Sequence, residues 1–391
     1  ALISLVMLLA LSACSTQTVK TTSVTPMLTG NTGIPEEQLL DVGIGIFDPG
    51  LDEVDKSRKE LTFADVRHAE TFYVSHLLSK TLQSNGSWGV VRVVPGNLES
   101  SDVAVNGTIL QSDGEAMKMR VKVSDASGRV WYEKEYEEVV SKYSYDPKLR
   151  RNEDSFQGLY NRIANDMLQY RQKNMNPEKI ASIRTIAQLQ FAKGFAPEVF
   201  DEYLAENRQG IIRIKRLPAT NDPMLARIQG IRERDNMYID TLQDYYSNFA
   251  REMEQPYTEF RRLSYEEVMK LDRIQADARR NMFLGVAAIL GGLVATQSSS
   301  NAVVYSSIGA LGAGGFLIKD AFNKNAEAQM RLEQIAELGS SLEQEIAPQT
   351  IELEERTVTL SGSVEEQYAQ WREILADIYA NEIGEEPSNS F

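Results

Sequence analysis

The sequence predicts an α+β protein: a small antiparallel α/β domain over residues 36–142, followed by a long helical region that carries a Gly-rich apolar helical hairpin. Three observations predict it. Apolar residues alternate with polar ones between Trp88 and Tyr136, with turn signals at regular intervals. From Ser155 onward the apolar spacing changes to three and four. Finally, the 38 residues between Arg280 and Lys319 contain no charge and seven glycines.

The amino terminus reads as an address. Residues 1–13, ALISLVMLLALSA, form an uncharged apolar run that stops at Cys14. Thirteen residues are too few to cross a bilayer core, which needs about 20 in helix, but the length suits the apolar region of a secretory signal. The usual Met and basic stretch do not precede it, so residues 1–13 are expected to be a signal-peptide remnant. Leu11-Ser12-Ala13-Cys14 resembles the lipobox of bacterial lipoproteins. The resemblance implies a diacylglycerol thioether on Cys14, cleavage before it and acylation of the new amino terminus, with no other cofactor. Two or more acyl chains hold a bilayer stably where one does not. Ser15 stands where an inner-membrane retention signal places Asp, so the resemblance implies the periplasmic face of the outer membrane. Residues 14–35, rich in Ser and Thr, then read as a lipidated, flexible tether.

The α/β domain opens with the strand candidate Asp41–Phe47, ended by Asp48-Pro49-Gly50. Val66, Ala69, Phe72, Tyr73, Leu77, Leu78 and Leu82 mark an amphipathic helix over 64–84, which Ser84-Asn85-Gly86 ends. Strands follow at Trp88–Val94, Asp102–Leu110, Met117–Val123 and Arg129–Tyr136. The third alternates, with Met117, Met119, Val121 and Val123 on one face and Lys118, Arg120 and Lys122 on the other, as in an antiparallel sheet with one wet face. Asp113-Gly114 and Ser127-Gly128 occupy hairpin positions, so 102–136 reads as a three-stranded meander. This β-α-β-β-β order, carried by WGVVRVVP and DVAVNGTILQSDGEAMKMRVKVSDASGRVWYEKEY, is similar to the small α/β domains of envelope lipoproteins and related proteins. The curli secretion-channel lipoprotein and the amino-terminal domain of the translocation protein TolB are examples. The resemblance covers about a quarter of the chain and brings no catalytic motif.

A helical domain is expected over 143–280. Phe156, Leu159, Ile163 and Met167 form one stripe; Ile180, Ile183, Ile186, Ala187 and Phe191 form the next, after Pro177. Asn221-Asp222-Pro223 is a cap followed by Pro in a first turn, opening a helix that runs past Pro256 to Arg280. Its seam is Leu225, Ile228, Ile231, Ile239, Leu242, Tyr246 and Phe249, implying a helical hairpin or short coiled coil. Tyr238, Tyr245, Tyr246 and Tyr257 read as packing residues rather than a sugar-binding platform.

The uncharged stretch divides at Gln297-Ser-Ser-Ser-Asn301 into two apolar arms and spans 281–319 with its flanks. Gly285, Gly291, Gly292, Gly309, Gly312, Gly314 and Gly315 each cost about 1 kcal/mol relative to Ala in an isolated helix, so their presence asks for compensation. Ala287/Gly291, Ala288/Gly292 and Ala310/Gly314 are small-xxx-small pairs that let helix backbones approach closely. Arg279, Arg280, Lys319 and Lys324 place cations at both ends, which suits entry into a bilayer from one side. Burial of the hairpin within an oligomer or within the chain's own bundle stands beside membrane insertion.

Residues 320–391 hold 16 acidic and 4 basic residues, a balance of −12. They read as solvated helices, with Ser363 capping a last helix whose apolar face is Tyr368, Trp371, Ile374, Leu375, Ile378 and Tyr379. The stretch 351–360 is expected to be helical.

Composition bounds the function. One Cys excludes a disulfide scaffold, and two His with that Cys argue against a four-ligand zinc site. A net charge of −15 argues against nucleic acid as a partner. No GxSxG, Walker loop or HExxH occurs, and Gly43 and Gly45 do not complete a dinucleotide fingerprint. His68 and His76 lie about 12 Å apart along one helix, too far for one metal. The expectation is a non-enzymatic, periplasm-facing outer-membrane lipoprotein, a structural or assembly component whose partners are outer-membrane lipid and either its own copies or other envelope proteins. The alternative is an oligomeric pore or export component that inserts residues 282–318.

Overall fold

The computed structural model describes residues 24–30, 33–54, 62–96, 98, 101–146, 148–149, 153–219, 221–292, 325–344, 346–352 and 357–384. Helix and strand are mixed throughout, and the chain is α+β. In order, the first elements are β1 (Val42–Gly45), α1 (Ala64–Ser84), β2 (Val91–Val94), β3 (Val103–Ser112), β4 (Ala116–Asp125) and β5 (Val130–Val139). Then come α2 (Gln157–Asn174), α3 (Pro177–Phe195), α4 (Pro197–Phe200), β6 (Leu204–Glu206), β7 (Ile212–Ile214) and α5 (Pro223–Gly292). The last are α6 (Ala326–Gln344), β8 (Gln349–Glu352), β9 (Thr357–Leu360) and α7 (Val364–Ile383).

The five-stranded sheet has the order β2-β1-β3-β4-β5. β3, β4 and β5 form the expected antiparallel meander, turning at Gly114 and Gly128, both at positive φ. The sheet as a whole is mixed rather than antiparallel, because β1 pairs in parallel with both β2 and β3. A 21-residue helix between neighbouring strands returns the chain to the edge from which it set out, which makes β1 and β2 parallel. Alternation within β4 reveals one wet face but not the direction of distant neighbours.

α1 lies between two cores. Val74, Leu78 and Leu82 join the inward residues of the sheet, Ile44, Val105, Met117, Met119, Val121 and Val123, together with Leu159, Tyr160 and Ile163 of α2. Val66, Ala69, Phe72 and Tyr73 turn the other way, toward α5, α6 and α7. Phe72 packs on Tyr246 and Phe249, Tyr73 meets Tyr257 edge-on at 5.1 Å, and Phe63 meets Phe260 at 5.8 Å. Tyr246 and Tyr257 are therefore core residues, as their helical spacing suggests.

Asp222 accepts from the N–H groups of Met224 and Leu225 with Pro223 in the first turn, so α5 starts where the sequence places it. It continues through Pro256 for 70 residues, about 105 Å. Ser363 and Glu366 form the reciprocal cap that starts α7, at 2.9 and 3.1 Å.

Two hairpins replace expected helix. Residues 349–360 form β8 and β9, in which Ile351 faces Val358 and Thr350 faces Thr359. Thr357-Val358-Thr359 is β-branched throughout, and cross-strand pairing exploits that stiffness where a helix loses it. Within the expected helical domain, β6 and β7 pair across a turn in which the Asn207 side chain accepts from Gln209 and Ile211 N–H, with Gly210 left-handed.

Candidate functional site

Among the places that bring polar side chains together, three lie where a cleft, a long helix or a chain segment meets the α/β layer. The first is an open cleft of about 470 Å³ on the sheet face away from α1, bounded by Ala104, Asn106, Ser124, Gln190 and the β6–β7 hairpin. Of its two carboxylates, Asp125 and Glu206, the first is already committed: Oδ1 accepts from Ser127 N–H and O–H, and Oδ2 from Trp131 Nε1 at 2.8 Å. Gln190 donates to the carbonyl of Ala126 at 2.6 Å. Asp125 and Gln190 thus hold the β4–β5 turn in place.

The second is a buried junction where α5 meets the α/β layer. Arg261, 2% exposed, donates to both oxygens of Asp154 at 3.1 and 2.9 Å, with its guanidinium 3.8 Å from the Tyr257 ring centre. Glu70 accepts from Tyr257 at 2.5 Å and Ser112 at 2.8 Å, and pairs with Arg67 at 3.1 Å. Arg67 also donates to the carbonyl of Ile109 at 2.9 Å. Two cations and two anions thus balance inside a largely apolar core. Burial, then the Asp154 charge, pushes the Tyr73 phenol above its ordinary range, so it remains a donor to Asp154. Gly114, at φ +71°, lies against the backbone of Arg261 and Tyr265, and a Cβ there would meet the helix. The arrangement locks the long helix onto the sheet.

The third was not anticipated. Residues 24–30, read as part of a flexible tether, lie extended against α1 and α2. Asn165 Oδ1 accepts from Leu28 N–H at 2.7 Å, and its Nδ2 donates to the Pro26 carbonyl at 3.0 Å. Asn161 Nδ2 donates to the Thr25 carbonyl at 2.8 Å; Asn85 Nδ2 donates to the Leu28 carbonyl at 2.7 Å, and its own carbonyl accepts from Gly30 N–H at 3.2 Å. Gln157 holds the Asn161 carbonyl oxygen at 3.0 Å. All three asparagines are at most 8% exposed, whereas no residue of the strap is buried. The clamp reads backbone rather than side chains. At roughly 1 kcal/mol net per hydrogen bond, the strap is held by a few kcal/mol and can open without unfolding the body beneath it. Sequence showed Asn85 only as a helix terminator; the i, i+4 spacing of Asn161 and Asn165 was the available signal.

Of the residues singled out by sequence, Cys14, Gly309, Gly312, Gly314 and Gly315 lie outside the described residues, as do positions 1–13. Gly285, Gly291 and Gly292 lie in the last turns of α5, which therefore carries its helix into the uncharged stretch. His68 pairs with Glu343 at 3.0 Å on the surface. Burial, then Lys80, lowers His76 to about 4. Among the described residues no group of three or more His, Cys, Asp or Glu is placed to hold a metal, and no helix is long and apolar enough to cross a membrane.

These features define an α+β chain with a clamped amino-terminal strap and a long helix leading into an apolar segment. No family model, curated protein or solved structure matches it.

Proposed function

We propose that this chain is an acylated lipoprotein of the outer membrane, facing the periplasm, and that its role is structural: a non-enzymatic component through which an envelope complex is assembled. The apolar run ending in Leu11-Ser12-Ala13-Cys14 carries the reading. The protein buries its own polar clusters in holding itself together, which is consistent with a scaffold. Cosedimentation with vesicles tests it. The acylated protein is expected to pellet and Cys14→Ser to stay in the supernatant. A mature chain recovered without lipid on Cys14 would refute the reading, whereas pelleting of both forms would transfer attachment to residues 282–318.

A second reading, an oligomeric pore or export component, is favoured by one observation: α5 continues as helix as far as Gly292, inside the uncharged stretch. Dye release from liposomes is then expected, and loss of release on replacing Gly291 and Gly312 with Leu. Intact liposomes in the presence of wild-type protein would end this reading.

A further inference from the structure

We propose that Asn85, Asn161 and Asn165 form a docking site for an extended peptide, the chain's own residues 24–30, and that occupancy of this site points the α5 end of the molecule away from the bilayer that holds Cys14. The inference rests on the lipid-anchor reading for its membrane half and on the clamp alone for the rest.

Two directions fix the geometry. The strap is held at the carboxyl-terminal end of α1, where Asn85 bonds Leu28 and Gly30, and Ser84 lies 3.6 Å from the Met27 sulfur. α5 passes α1 in the opposite sense: Tyr246 and Phe249 meet Phe72, and Phe260 meets Phe63, just ahead of the first residue of α1. The long helix therefore leaves beyond the amino-terminal end of α1. From Phe260 to Gly292 it rises about 48 Å, and α1 itself is about 31 Å long. Strap and helix end are thus separated by roughly 55–80 Å, depending on the crossing angle. Residues 14–23 reach at most ~35 Å even when fully extended.

With the clamp closed, the strap and the Gly292 end of α5 lie at opposite poles. For the Gly292 end of α5 to reach the bilayer that holds Cys14, the protein must then lie along that bilayer. The net charge of −15, most of it in the last fifth of the chain, opposes that posture on anionic lipid. Opening the clamp frees 17 residues, 14–30, and roughly 60 Å of reach. The clamp thereby decides whether the apolar segment meets the anchoring leaflet or a dry partner further out.

The test uses acylated full-length protein on vesicles containing a lipid-borne energy acceptor, with a donor dye at Lys80→Cys, an exposed position near the strap, or at Gln275→Cys, on the distal part of α5. Strong transfer from position 80 and weak transfer from position 275 is expected. The difference should shrink in Asn161→Ala/Asn165→Ala and in a chain with ten Gly/Ser residues inserted between Ser23 and Val24, which leaves the fold untouched. Equal transfer from both positions in the wild type overturns the orientation. The clamp is tested separately in soluble Cys14→Ser protein: the Leu28 amide is expected to exchange slowly with solvent deuterium, and at least tenfold faster in Asn165→Ala. An unprotected Leu28 amide in the parent overturns the clamp whatever the state of Cys14, while absence of lipid with a protected Leu28 refutes the anchor alone.

Discussion

Arg261 and Asp154 show how a single pair can be decisive without being a net source of stability. Moving two ions out of water costs several kcal/mol each, and only close, multiply bonded geometry offsets that. Asp154→Asn would leave the Arg261 charge buried at 2% exposure with a neutral partner, and is expected to cost about 3–5 kcal/mol. Asp154→Asn combined with Arg261→Met is expected to recover part of this in chemical denaturation; additive losses would show that the two groups do not act as a unit. Glu138 gives a pH signature. Burial, opposed by Arg162 at 3.5 Å, raises its carboxyl from 4.5 to about 7. The folded chain therefore holds that proton more tightly than the unfolded one, and Glu138 makes stability fall as pH rises from about 4.5 to about 7, with no further change above. Glu138→Gln is expected to be the more stable protein at pH 8, by about 1–3 kcal/mol, with the difference vanishing near pH 4. A wild-type advantage at pH 8 would contradict this.

Among the elements, the edges of the sheet are handled by side chains. The outer edge of β2 is capped by an amide: Gln243 of α5 accepts from Val93 N–H at 2.9 Å and donates to the Val93 carbonyl at 2.8 Å, imitating a neighbouring strand. Gln83 accepts from Val91 N–H at 3.0 Å in the same way. An open strand edge invites pairing with another chain. Gln243→Ala is expected to lose about 1–3 kcal/mol and to raise light scattering on heating below the melting transition; unchanged scattering would show that the edge needs no such cover. Helix starts were legible because caps are local: Asp222-Pro223, Asn176-Pro177 and Ser363 each satisfy nearby N–H groups of their own helices. Hairpins β6–β7 and β8–β9 were not, since three or four residues of alternation are too few to establish a period against a helical background.

For the molecule as a whole, α1 is shared by both cores, with Leu77 packed against each. Trp88 and Trp131 report on the sheet core, Trp371 on the helical one. Phe72→Ala, which opens a cavity on the helical side of α1, is expected to lower one common transition seen by both tryptophan groups, by about 3–5 kcal/mol. Separate melting of Trp371 in single-tryptophan variants would instead show two independent units. The same sharing makes the poles of the molecule meaningful, because a strap at one end of α1 and a helix leaving past the other are held in a fixed relation only if the body between them is rigid.

Sequence by itself determined the helix over 64–84, the meander and its two glycine turns, the course of the long helix past Pro256 and the uncharged glycine-rich stretch. Each is written in local spacing, capping or composition, quantities a chain carries without folding. Only the tertiary structure decided that β1 runs parallel to its neighbours, that Arg261 finds Asp154 across 107 positions, and that three asparagines distant in sequence hold residues 24–30. Those depend on which surfaces meet, and no period or motif in a single sequence records a contact between segments that approach only after the core between them has formed.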